Sequence, residues 1–191
     1  MGGSIFSRRL LVAGCCASSV FARTRTASAD EDAGQSELPR TGDQLVELGH
    51  EAEAKPLTPD NVGLQEPVLA WAYDPNKKIV RSGSRLNMVL LMRFDPATLG
   101  EAERPLSSAG VVAFSAVCTH QQCWVTDWLK SVQLLQCPCH QSRYDLRQGA
   151  KVVSGPAPRS LPALPLNITD GVLDVAGPFT GRVGGERQQG A

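Results

Sequence analysis

Four cysteines and two histidines in the second half of the chain form two short clusters, Cys118-Thr-His120-Gln-Gln-Cys123 and Cys137-Pro-Cys139-His140. Each cluster offers one cysteine–histidine pair and one extra cysteine. Thiolates and imidazoles are the side chains that soft and borderline metal ions take up. The division therefore points to a metal site of two thiolates and two imidazoles, with the leftover cysteines free to bridge each other. A tetrahedral zinc ion accepts such a donor set, although Cys-x-His is an unusual spacing for zinc. The remaining histidine, His50, stands in a polar stretch and reads as an exposed spectator.

Together with its flanks, the arrangement resembles the Rieske iron–sulfur family, in which Cys-x-His and, about 15 to 17 residues later, Cys-x-x-His hold a mixed-ligand [2Fe–2S] centre. The gap here, Gln121 to Gln136, is 16 residues. The resemblance implies that Cys118 and Cys137 bind one iron and His120 and His140 the other. It also implies a disulfide between Cys123 and Cys139, as in the respiratory branch. The likeness runs on through Ser142, Tyr144-Asp145, Gly149 and Gly155-Pro156-Ala157-Pro158, the last matching a proline-rich flap that covers the cluster. Zinc would leave these further features unexplained. In the family, the residues equivalent to Ser142 and Tyr144 donate to a bridging sulfide and to a ligand thiolate. That favours the reduced cluster and places the protein toward the upper part of a range of about −150 to +300 mV.

What the resemblance implies for function is single-electron transfer. The donor would be quinol or a periplasmic oxidoreductase subunit, and the acceptor a c-type cytochrome. The alternative is a core iron–sulfur subunit of a quinol–cytochrome c reductase. Gln121 and Gln122 stand where that family usually has Leu and Gly, and Gln141 replaces its usual Gly, so a normally apolar docking tip becomes polar. This ranks a soluble or peripherally bound carrier ahead of the core subunit, with membrane attachment allowed but not required. A Rieske-type oxygenase needs two more histidines and a carboxylate for a second iron, and only His50 is left.

The elements that position these residues read as short strands: Val68–Tyr73, Met88–Phe94, Val111–Val117, Val132–Gln136, Lys151–Val153, Leu164–Thr169 and Val172–Ala176. Turn signals such as Asp74-Pro75-Asn76 and Asp95-Pro96 separate them, and Asp170-Gly171 marks a hairpin. The expected fold is all-β, a Rieske-type antiparallel sandwich or barrel over residues 61–183, with a small cluster-binding subdomain at about 117–160. Only Pro96 to Glu103 has helical character. Residues 30–60 read as a polar linker or arm and 184–191 as a frayed tail. Trp71, Trp124 and Trp128 read as packing residues.

At the start, Arg8-Arg9 precede an apolar run from Leu10 to Ala22, and Ala27-Ser28-Ala29 precede an acidic stretch. This is the layout of a twin-arginine signal cleaved after Ala29, which implies periplasmic export. The apolar run is 13 residues, against roughly 20 for a bilayer span. The whole chain carries 19 basic and 19 acidic residues. Without a lysine or arginine run, a phosphate-tracking, nucleic-acid-binding surface is disfavoured.

Overall fold

The computed structural model describes residues 1–2 and 34–185. The expected export signal, with Arg8, Arg9 and Ala29, lies outside the described residues. Runs of β-branched, aromatic and aliphatic residues bounded by turn formers build the strands. They are β1 (Gln44–Glu47), β2 (Val68–Asp74), β3 (Ile79–Val80), β4 (Val89–Arg93), β5 (Val111–Ser115), β6 (Asp127–Leu129), β7 (Leu134–Gln136), β8 (Arg143–Asp145), β9 (Lys151–Ser154), β10 (Leu166–Thr169) and β11 (Val172–Val175). One antiparallel sheet has the order β10-β11-β1-β2-β4-β5, with β3 paired to β2, and a second has the order β6-β7-β8-β9. The all-β antiparallel architecture is the one predicted. The β10–β11 turn, Asp170-Gly171, has two positive φ angles of 52° and 82°, as a tight type I′ hairpin requires.

β4 and β5 are buried almost throughout, and their alternate residues enter two different cores. Val89, Leu91, Val111 and Ala113 pack with Leu45, Leu164, Leu173 and Val175. Leu90, Met92, Val112 and Phe114 pack with Trp71, Leu135, Tyr144 and Leu146, joining the large sheet to the small one. Each buried Val, Leu, Met or Phe among them contributes about 1.5–3 kcal/mol through burial. Cys118 and Cys137 belong to this second core, so the two thiols are anchored in packed interior.

Three expectations are corrected. The supposed arm at 30–60 contains β1, which lies inside the large sheet between β11 and β2. Leu45 and Val46 are both fully buried, one in each core, so polar neighbours disguised a central strand. Asp43 next to it is buried against Arg81, which binds both of its carboxylate oxygens at 2.6 and 3.0 Å.

The helical expectation at Pro96–Glu103 is replaced by separate 3-10 turns at Pro96–Thr98 and Arg104–Leu106. The Gly100 amide donates to the Arg147 carbonyl at 2.9 Å instead of continuing a helix, and Pro105 lacks the donor to propagate one. Finally, the tail expected to fray from Gly184 is packed through Gly185, and residues 186–191 lie outside the described residues. Gly184 and Gly185 are buried, with Gly185 set directly against the His120 carbonyl. The strands β3, β6 and β8 were too short to stand out in the sequence.

Candidate metal centre

β5 runs through Ala116 and Val117 into a first loop, 118–123. Val117 bridges Trp124 across its base. The Cys118 amide donates to the Cys123 carbonyl at 2.8 Å, and the Gln122 amide to the Cys118 carbonyl at 3.0 Å. The second loop, between β7 and β8, closes the same way: Cys137 N–H to Ser142 carbonyl and Gln141 N–H to Cys137 carbonyl, both 2.9 Å. Each closure needs a left-handed residue at its fifth position, and these are Gln122 and Gln141, with φ of 59° and 58°.

Cys123 and Cys139 form a disulfide that joins the loops, with Cα atoms 6.5 Å apart, as the resemblance implied. Cys118 and Cys137 remain as buried free thiols. The sulfurs of Cys123, Cys137 and Cys139 lie within 4.8 Å of one another. Two of the three are bonded to each other, so this trio does not offer three thiolates.

The His120 and His140 rings meet edge to face, with centroids 4.7 Å apart and planes at 85°. His140 is exposed, whereas His120 is half-buried. The Nδ1 atom of His120 is buried with no hydrogen-bond partner among the described residues. An orphaned buried polar atom costs about 1–3 kcal/mol, and a metal ligated there removes that cost. Two buried thiols, this nitrogen and an adjoining imidazole therefore fit a thiolate–imidazole metal group.

Burial pushes the Cys137 thiol pKa up, and the adjacent Cys118 thiol adds to the shift. Tyr144 is fully buried, and its Oη lies 3.3 Å from Cys118 Sγ. Burial first, then contact with Cys118, raises its pKa well above the ordinary tyrosine value, so the phenol stays protonated and available as a donor. Ser142 is also fully buried. Its Oγ accepts the Ala157 amide at 3.1 Å, which leaves the hydroxyl hydrogen free for another acceptor.

That bond pins the Gly155-Pro156-Ala157-Pro158 segment to the second loop. Gly155, at φ 93°, sits so close that a Cβ there would lie 2.5 Å from Ser142 Cα. Only glycine satisfies both demands. His50 is exposed and bound to Glu53 at 2.8 Å, remote in sequence from the two loops. Trp71 packs edge to face on Trp124, and Trp128 on Phe94, as expected of packing residues.

Two supports of the site were not read from the sequence. Buried Thr119 donates from Oγ1 to the Arg159 carbonyl at 2.7 Å, tying the first loop to the residue after the proline segment. Arg159 in turn donates to the Gly184 carbonyl, and a Cβ on Gly185 would lie 2.5 Å from the His120 carbonyl. The Thr between Cys118 and His120 and the Gly-Gly pair were the available signals.

Comparison with known proteins gives a consistent picture. Residues 95–165 match the family model described as Rieske [2Fe-2S] domain. The cytochrome bc1 complex Rieske iron-sulfur subunit of Streptomyces lividans is 37% identical over 98 residues, covering 50% of this chain and 58% of that protein. The corresponding subunit of Mycobacterium tuberculosis is 36% identical over 139 residues, 65% of this chain and 32% of the relative. A putative respiratory nitrate reductase subunit Rieske of Haloferax mediterranei is 44% identical over 77 residues, 40% of this chain and 34% of the relative. The chain thus spans between about a third and just over half of the length of these relatives.

Proposed function

We propose that this chain, whose residues 95–165 match the Rieske [2Fe-2S] domain model, is a high-potential electron-transfer protein. The observation that carries the reading is the pair of buried free thiols, Cys118 and Cys137, on two loops whose histidines, His120 and His140, bring their rings into contact. When bound, a [2Fe–2S] cluster of this mixed ligation accepts and returns one electron, at about −150 to +300 mV.

Cys118 and Cys137 would hold one iron and His120 and His140 the other. Tyr144, protonated and 3.3 Å from Cys118 Sγ, donates to that thiolate. Ser142, whose Oγ accepts the Ala157 amide, would have its hydroxyl hydrogen available to donate to a cluster sulfur. Both donors favour the state with more negative charge and so raise the potential. The Cys123–Cys139 bridge joins the two loops and the Ala157 amide pins the proline segment to the second, while exposed His140 would be the route out for the electron.

The donor is quinol or an oxidoreductase subunit, and the acceptor a c-type cytochrome. Relatives that are cytochrome bc1 Rieske subunits support a second reading, the core iron–sulfur subunit of such a complex. The polar residues Gln121 and Gln141, both exposed beside the histidines, favour a protein partner over an apolar pocket. Among the described residues no helix is long and apolar enough to cross a membrane. The Arg8-Arg9 signal supports export by the twin-arginine route, which carries folded, cofactor-loaded domains. Trapping of an Arg8→Lys/Arg9→Lys variant inside the cell tests that step.

Iron and sulfide analysis with a potentiometric EPR titration at several pH values tests the central reading. The expected result is a rhombic reduced-state signal with a positive midpoint that falls at alkaline pH. No such signal, with zinc found instead, overturns it.

A further inference from the structure

The two cysteine–histidine loops lie in residues 116–126 and 137–144, and residues 84–88, 154–165 and 180–185 are joined to them by contacts. These segments contain Arg85, Arg143, Arg159 and Arg182 and no Asp or Glu, although acids and bases are equal in number over the whole chain.

The partners of these arginines are neutral. The Arg85 guanidinium sits over the Trp124 ring, 6.0 Å from its centroid, and the Trp124 indole donates to the Arg85 carbonyl at 3.0 Å. Trp124 directly follows Cys123 of the disulfide. Arg143 donates to Gln136 at 2.8 Å. Arg159 donates to the Gly184 carbonyl and Arg182 to the Gly185 carbonyl, the latter at 2.8 Å. These two glycines lie against Gln122, Leu86 and the His120 carbonyl, so both guanidinium groups are held beside the first loop.

Elsewhere, among the described residues, Arg40, Arg81, Arg93 and Arg147 form ion pairs, while Arg104 donates to the Leu99 carbonyl. At the histidine end these four arginines are positioned but form no ion pair among the described residues, the one acid nearby being Glu103, which is buried and lines a cavity with Arg159 and Arg182. A fixed excess of charge of one sign around an exposed redox exit steers an oppositely charged partner and orients it on arrival.

We propose that this end of the molecule is a cationic docking face for a redox partner protein whose surface around its own redox group is acidic. The proposal rests on the reading of His140 as the exit for the electron. Carboxylates of the partner engage Arg85 and Arg182, both exposed. One electron then passes from the reduced protein to the partner, which is reduced by one equivalent.

Native cytochrome c, which is basic, and the same protein succinylated on its lysines present one haem with opposite surface charge. At about 10 mM ionic strength the reduced, cluster-loaded protein should reduce the succinylated form at least about tenfold faster, and the gap should close near about 0.5 M salt. Arg85→Glu should cut that preference by about threefold or more, with midpoint potential and EPR line shape unchanged. Equal rates, or a faster reaction with the basic form, overturn the docking face. So does salt-sensitive sedimentation with phosphatidylglycerol vesicles coupled with no preference between the cytochromes, which would assign the charge to a lipid surface.

Sedimentation of cluster-free protein with each cytochrome separates this proposal from the cluster assignment. A complex with only the succinylated form supports the face even where no cluster assembles. A loaded protein with no charge preference overturns the face and leaves the cluster reading standing.

Discussion

Gln122 and Gln141 occupy the same step of two loops that close alike, at φ 59° and 58°. Neither is glycine, although a residue with a Cβ pays roughly 1–2 kcal/mol in this region. Gln122→Gly and Gln141→Gly should each stabilise the fold by about 1 kcal/mol, part of the relief being offset by a freer unfolded chain. Each should raise Tm by about 2–4 °C in calorimetry. The gain should be larger at Gln141, because the Gln122 side chain covers Gly184. A fall in Tm at both sites would show that side-chain contacts outweigh backbone strain.

Tyr144→Phe and Ser142→Ala should each lower the midpoint potential with the cluster retained. A differential stabilisation of about 1.4 kcal/mol corresponds to about 59 mV for one electron, so shifts of some tens of millivolts are expected. Ser142→Ala also removes the acceptor of the Ala157 amide. It should therefore cost stability as well, whereas Tyr144→Phe leaves the proline segment pinned. Unchanged potentials in both variants would break the assignment of these hydroxyls as cluster donors.

The disulfide spans a sequence separation of 16, for which loop-closure entropy gives about 3 kcal/mol. Cys123→Ser should lose about that much in denaturant melts and release its cluster faster on warming, followed by bleaching of the visible absorbance. A variant that holds its cluster as long as the parent would show that the bridge does not support the loops.

Glu103 gives a pH dependence away from the cluster. It is buried, with carboxylate oxygens against Gly100 and Gly149. Burial raises its pKa, and Asp145 adds to the shift. The folded chain therefore binds this proton more tightly than the unfolded chain, and the associated stability is lost as pH rises above the ordinary carboxyl value of 4.5. Glu103→Gln should be more stable than the parent at pH 7, with the difference shrinking toward pH 4 in urea titrations. A constant difference across that range would mean that Glu103 ionises alike in both states.

The donor set, the all-β class and the β10–β11 hairpin were legible because each depends on residue type over a short span. Two cysteine–histidine clusters declare their chemistry whatever surrounds them, and Asp170-Gly171 makes its turn locally. β1 was not legible. Gln44–Glu47 offers only Leu45 and Val46 as apolar signal, and these serve opposite cores, which no alternating pattern announces. The 3-10 turns that replaced a helix after Pro96 depend on the distant Arg147 carbonyl capturing the Gly100 amide.

By itself, then, the sequence determined which atoms are offered to a metal, in what local order, and that short strands would carry them. Tertiary structure alone decided which groups are left without partners. Among the described residues the Nδ1 atom of His120 is orphaned, Tyr144 is pressed on Cys118, and Arg85, Arg159 and Arg182 meet a ring and carbonyls rather than carboxylates. Burial and pairing depend on segments far apart in the chain, while ligand chemistry resides in the side chain itself.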